Sequence, residues 1–143
     1  MNPELVISVI ALFVALTSVI ISFYFSRLTS KTSVFPVLVF VYNKQWSWKM
    51  CNVGNGPALS VVVARSDGEI WDLPTRCYPI GVGNDLKIPW VGHNPRQLGV
   101  SYCDAHNRYY TSICKDDFNK ILNGIQLPKW DKKDIIRQWE MPK

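Results

Sequence analysis

Residues 5–25, LVISVIALFVALTSVIISFYF, carry no charged side chain. As a helix the run rises about 1.5 Å per residue and reaches about 31 Å, the thickness of a bilayer's hydrocarbon core. After it the apolar pattern changes period. Residues 34–42, VFPVLVFVY, are β-rich, with Pro36 near the start as at a strand beginning or a sheet edge. Residues 45–51 alternate, with Trp46, Trp48 and Met50 on one side and Gln45, Ser47 and Lys49 on the other. The Asn43-Lys44 turn between these runs predicts a hairpin. A second hairpin is predicted from residues 98–103 and 109–114, two alternating runs around the polar turn Asp104-Ala105-His106-Asn107-Arg108.

Between the hairpins the chain is punctuated by turn residues. Asn52-Val53-Gly54-Asn55-Gly56-Pro57-Ala58 precedes the β-rich run of residues 59–65. Its glycines can supply positive φ, and the segment reads as a bulged crossing between strands. A phosphate-cradling loop of the Walker type needs Gly-Lys-Ser/Thr opening a helix, and a strand follows here instead. Ser66-Asp67-Gly68 reads as a turn, and Glu69-Ile70-Trp71 begins an extended piece. Residues 73–88 read as loop with one short strand near 78–82; residues 86–91 read as a further strand, and residues 92–96 as a turn. Asn-x-Gly-x-Gly-Pro-Ala before a strand resembles small single-pass bacterial membrane proteins with an immunoglobulin-like β-sandwich. Tyr102-x-Asp104 and Arg108-x-Tyr110 are similar to the last hairpin of that family. The resemblance implies a fold and no activity.

The last part changes character. Residues 116–122 read as a short helix. Residues 130–139 read as a capped helix, with Asp131 as N-cap, Asp134 in a weak capping box and Trp130 stapled on Ile135. Ile135, Ile136 and Trp139 would share a face, docked on the chain's own domain, on the membrane or on a protein partner. The fold class expected is therefore one N-terminal transmembrane α-helix plus a mostly-β, sandwich-like soluble domain with short C-terminal helices. The divisions are residues 1–27 for the span, 28–33 for a polar juxtamembrane connector, and 34–143 for the domain.

Charge sets topology. The chain is 143 residues long with a net charge of +5. Glu4 precedes the apolar run, while Arg27, Lys31, Lys44 and Lys49 follow it. The positive-inside rule then puts the N-terminus outside and the domain in the cytoplasm, at the inner membrane. A cleaved signal peptide fits poorly, because no Lys or Arg precedes the run and it ends in Phe23-Tyr24-Phe25. In the cytoplasm the 4 cysteines, at 51, 77, 103 and 114, are expected to be thiols. No Cys-x-x-Cys pair occurs, and Cys103-x2-His106-x7-Cys114 lacks zinc-site spacing, so neither metal nor cofactor is expected. Within the span Ser8, Ala11, Ala15, Ser18 and Ser22 recur at steps of three and four, on one helical stripe. Small residues let spans approach closely, so the stripe is a candidate face for homo-oligomerisation; chance register is the alternative.

Chemistry is sparse. There is no Gly-x-Ser-x-Gly, His-Glu-x-x-His or Walker sequence, and the 2 histidines sit in turns, so an enzyme is not expected. A binding site is easier to build. His93, Asn94 and Arg96 occupy one loop and His106, Asn107 and Arg108 another. If both loops met at one end of a sandwich they would form a basic patch for a phosphate-bearing small ligand; two solvated turns are the alternative. A short sensor joined to one span resembles the plan of nucleotide-signalled membrane effectors in bacterial antiviral defence, some linked to CRISPR. The function expected is an oligomeric effector or sensor in the bilayer whose domain binds an anionic signal, such as a cyclic nucleotide. The alternative is a non-catalytic scaffold or accessory subunit of a membrane protein complex.

Overall fold

The N-terminal residues form a helix from their first turn. Asn2 caps it, its carbonyl accepting from Leu5 N at 3.0 Å, and Pro3 occupies the first helical position, where no N–H is needed. The computed structural model describes residues 2–32, 34–45, 47–92 and 94–141; Trp46 and His93 lie outside them. Helix α1 spans Pro3–Thr32, and its Pro3–Thr29 portion is long and apolar enough to cross a membrane. Several of its hydroxyls bond back within the helix: Ser8 donates to Glu4 O at 2.9 Å and Ser18 to Val14 O at 2.8 Å. Back-bonding of this kind lets Ser sit in an apolar span without an unpaired polar group. Of the segment 28–33, read above as a connector, residues 28–32 continue the helix and Ser33 lies outside the described residues. At about 1.5 Å per residue α1 reaches about 45 Å, longer than a hydrocarbon core.

Val34–Lys143 form a separate unit. Its strands are β1 Leu38–Asn43, β2 Ser47–Asn52, β3 Leu59–Ser66, β4 Trp71–Arg76, β5 Asp85–Lys87, β6 Gln97–Cys103, β7 Tyr109–Lys115, β8 Phe118–Asn123 and β9 Ile136–Arg137. They build a 3-stranded sheet in the order β1-β2-β5 and a 6-stranded sheet in the order β8-β7-β6-β3-β4-β9. All pairs are antiparallel except β4–β9. Alternation explains the layers. Leu38, Phe40, Trp48 and Met50 of the smaller sheet are buried with Val61, Val63, Leu98, Val100 and Tyr102 of the larger one. Both predicted hairpins, β1–β2 and β6–β7, form as expected, with Leu38 opposite Asn52 and Tyr102 opposite Tyr110.

The Asn-x-Gly-x-Gly-Pro-Ala segment is the crossing from one sheet to the other. Asn52 is almost fully buried and holds it. Its side-chain nitrogen donates to Gly56 O at 2.8 Å and Ile80 O at 3.0 Å, while its oxygen accepts from Gly54 N at 3.1 Å and Val37 N at 3.3 Å. The glycines serve a purpose other than the one expected. Neither has positive φ. A Cβ on Gly54 would lie 2.3 Å from Phe35 O, and one on Gly56 2.5 Å from Val34 O. Close approach to the backbone leading into β1 is what excludes a side chain.

Several local expectations are corrected. Residues 116–122 are not helical: Asp116 and Asp117 take φ of 50 and 66, forming a tight two-residue turn, and β8 follows. Two central residues with positive φ match the twist of a hairpin, and β-favouring Phe118 and Ile121 then extend the sheet. Residues 130–139 are not an α-helix either. Ile136–Arg137 add to the edge of β4, and only Gln138–Glu140 form a 3-10 turn. A free strand edge there outcompetes a weak capping box. Residues 73–88 hold more strand than expected at their start, since β4 runs through Pro74, and less near 78–82, where Ile80 makes one isolated bridge to Ala58. The strand read at 86–91 stops at Lys87, because Pro89 opens a 3-10 turn, Pro89–Val91.

The segment between β8 and β9 crosses the outer face of the larger sheet. Gln126 N donates to Thr111 Oγ1 at 2.9 Å. Leu127 is buried over Gly99, where a Cβ would meet Leu127 Cδ2 at 2.7 Å and Trp71 Cζ3 at 2.8 Å. The chain thus straps one sheet edge to the other.

Candidate functional site

The two basic loops do not meet. Asn94 and Arg96 precede β6 and His106, Asn107 and Arg108 follow it. A strand of that length separates the loops by roughly 20 Å, at about 3.4 Å per residue. The single patch expected above is therefore two separate places, and His93 falls outside the described residues. Arg96 and Asn94 line a cleft of about 160 Å³ with Trp48, Asp116 and Asp117. Arg96 also borders a cleft of about 430 Å³ with Asp67, Glu69 and Asp72. This surrounding is acidic, which suits an anion poorly.

The other loop is organised around a buried carboxylate. Asp104 Oδ1 accepts from His106 N at 2.8 Å and Arg108 N at 2.9 Å; Oδ2 accepts from Arg108 Nε and, at 3.2 Å, from the Tyr110 hydroxyl. Burial by itself would raise the pKa of this carboxyl. The hydrogen bonds from Arg108 and His106, together with the Arg108 charge, outweigh burial and hold it below the usual value. Tyr102 completes the arrangement, its hydroxyl 3.0 Å from Ser112 Oγ and 3.4 Å from Leu38 N. Asp104, Arg108 and Tyr110 of the pattern thus lock the β6–β7 turn, with Arg108 engaged in it, while Tyr102 ties β6 to β7 and to the start of β1.

A more suitable site lies where sequence reasoning did not look. Ser60, Arg76, Cys77, Tyr78, Pro79 and Trp139 line a cavity of about 430 Å³ at the junction of β3, β4 and the chain after β9. Tyr78 and Trp139 pack ring to ring with centroids 5.2 Å apart, and both stay about half exposed. In the β4–β9 register Arg76 stands opposite Arg137. Arg137 Nη1 is 3.0 Å from Glu140 Oε1. Ser60 has φ of 50 and sits where the β3–β6 register shifts between Leu59 and Val62. Bulges of this kind re-aim side chains and recur beside binding sites. The arrangement offers planar apolar surface, a guanidinium and a hydroxyl in one cavity. Its parts come from positions 60, 76–79 and 139; only the exposed Tyr-Pro after a strand, and Trp139, marked it in the sequence.

The Cys77 thiol in the cavity wall is pushed up to about 12 by burial. Burial also raises Cys51 and Cys114. All four cysteines are free, and Cys51 alone is only partly buried. A maleimide at neutral pH is expected to modify Cys51 at most in the folded protein and all four in guanidinium, read by mass spectrometry. Rapid modification of Cys77 without denaturant would show that the cavity wall opens.

No family model, no curated protein and no solved structure matches the chain.

Proposed function

We propose that the chain is a single-pass membrane protein, with its N-terminus outside and its β domain in the cytoplasm, that recognises a small anion bearing an aromatic ring, a nucleotide by chemical class. The observation that carries this reading is the cavity in which Arg76, registered beside Arg137, shares walls with Tyr78 and Trp139. The Arg76 guanidinium in the cavity wall offers a planar fork that matches phosphate oxygens, while Arg137 on the adjacent strand is held by Glu140. The exposed indole and phenol supply a face for a base. The site takes the role assigned above to the loops around Arg96 and Arg108, which are surrounded by carboxylates or engaged by one. Signalling would pass through assembly of the spans along Ser8, Ala11, Ala15, Ser18 and Ser22, provided the ligand binds one assembly better than another.

The test is calorimetric titration of the full-length protein in detergent with adenosine monophosphate and with cyclic dinucleotides. Arg76→Ala is expected to weaken binding about 10-fold or more, as for loss of a charge-assisted hydrogen bond worth roughly 1.5–3 kcal/mol. Arg96→Ala should change it little. The opposite ranking would return the site to the Arg96 loop. Absence of binding by every phosphorylated compound would leave the scaffold or accessory-subunit reading.

A further inference from the structure

Each of the two sheets ends in two edge strands, and proteins usually blunt such edges because their free N–H and C=O groups template pairing with other chains. Three of the four edges here are blunted. On β1 the Asn119 amide imitates a neighbouring strand, accepting from Phe40 N at 2.9 Å and donating to Phe40 O at 3.0 Å, and Leu38 N meets the Tyr102 hydroxyl. Strand β5 has 3 residues, with Asp85 and Lys87 at its ends. Strand β9 has 2 and includes Arg137.

Strand β8 is different. It has 6 residues, FNKILN, with one charge. Phe118 is 81% exposed, and no strand pairs with its outer edge among the described residues. Its hydrogen-bonding direction follows from the Asp116-Asp117 turn. A two-residue turn makes Lys115 and Phe118 a hydrogen-bonded pair, so Phe118, Lys120 and Leu122 bond to β7. The backbone groups of Asn119, Ile121 and Asn123 then face outward, the Asn123 carbonyl accepting from the exposed Gln126 Nε2 at 3.2 Å and keeping a second lone pair.

We infer that β8 is the pairing edge for a second copy of this chain, joining two larger sheets into one continuous sheet about a two-fold axis at Ile121. The strand carries its own complement. An axis at Lys120 would set two ammonium groups opposite each other, which is unfavourable. An axis at Ile121 sets Ile121 against Ile121, Asn119 against Asn123, and Lys120 against Leu122. The outward-facing backbone groups of positions 119, 121 and 123 are then the ones that bond across the junction. This interface shares no residue with the cavity around Arg76 or with the stripe on α1, so its failure and theirs are separately visible.

The test uses full-length protein in detergent and in lipid vesicles. In the proposed pair the two Ile121 Cα atoms lie about 5.5 Å apart, within disulfide reach. Mild oxidation of Ile121→Cys is expected to yield a covalent dimer on a non-reducing gel, at least ten times more than Lys120→Cys or the unsubstituted chain. Ile121→Pro provides the second arm. It removes an N–H that β7 does not use, so in a chain whose α1 stripe is blocked by Ala11→Leu and Ala15→Leu the thermal midpoint should stay near that of the parent while the non-covalent dimer is lost by light scattering. No crosslink at Ile121→Cys, equal crosslinking at Lys120→Cys, or a dimer that survives Ile121→Pro would each overturn the assignment.

Discussion

Asn52→Ala is expected to destabilise the β domain by about 3–5 kcal/mol, a large share of the 5–15 kcal/mol that holds a domain of this size. The side chain makes four hydrogen bonds to backbone groups from three parts of the chain, Val37, the Gly54–Gly56 crossing and Ile80. Truncation leaves buried donors and acceptors without partners, each costing about 1–3 kcal/mol, partly relieved if water enters. Gly54→Ala reaches the same crossing by another route. Its Cβ would sit 2.3 Å from a backbone oxygen, and no rotamer can relieve that. Urea denaturation of both variants checks the pair. A loss under 1 kcal/mol in each would mean that the crossing is held by something other than this amide and these glycines.

Asp104→Ala is the second large effect, about 3 kcal/mol, because it strips acceptors from His106 N, Arg108 N and the Tyr110 hydroxyl together and takes the carboxylate away from the Arg108 guanidinium. For a domain of roughly this length that corresponds to a fall of about 10–15 °C in thermal midpoint. The lock also has a pH signature. The folded carboxyl titrates below the ordinary value of 3.8, so its contribution is present in full at neutral pH. It begins to fade as pH drops past the unfolded value and is gone once pH falls through the folded one. Wild-type melting should therefore steepen below about pH 4, whereas Asp104→Asn should start lower at pH 7 and lose less on acidification. Equal acid sensitivity in the two proteins would remove Asp104 as the titrating group.

Local pattern was enough wherever an element's own residues decide its structure. The apolar run, the two hairpins and the crossing were readable because each rests on periodicity or on turn residues close in sequence. The failures share one cause. Segments 116–122 and 130–139 look helical in isolation, yet each lies against an open strand edge, β7 and β4, whose location no local window contains. Gly54 and Gly56 were legible as important but for the wrong reason, since their neighbours are residues 34–37. The candidate cavity was harder still. It joins Arg76 to Trp139, and the loops that looked basic in the sequence turned out to stand at opposite ends of β6.

The strap across the larger sheet also fixes an order of events during synthesis. The segment around Leu127 and the β9 strand leave the ribosome after all the strands they cover or pair with. Until then Trp71, Gly99 and the edge of β4 stay open to water, and the sheet is a long-range, high-contact-order assembly waiting for its last partner. Helix α1 leaves the ribosome before the domain does and is long and apolar enough to enter a membrane while the domain is still incomplete. The chain would then be tethered before it closes, which confines the vulnerable, open-edged intermediate to the membrane surface and delays its encounters with other unfolded chains.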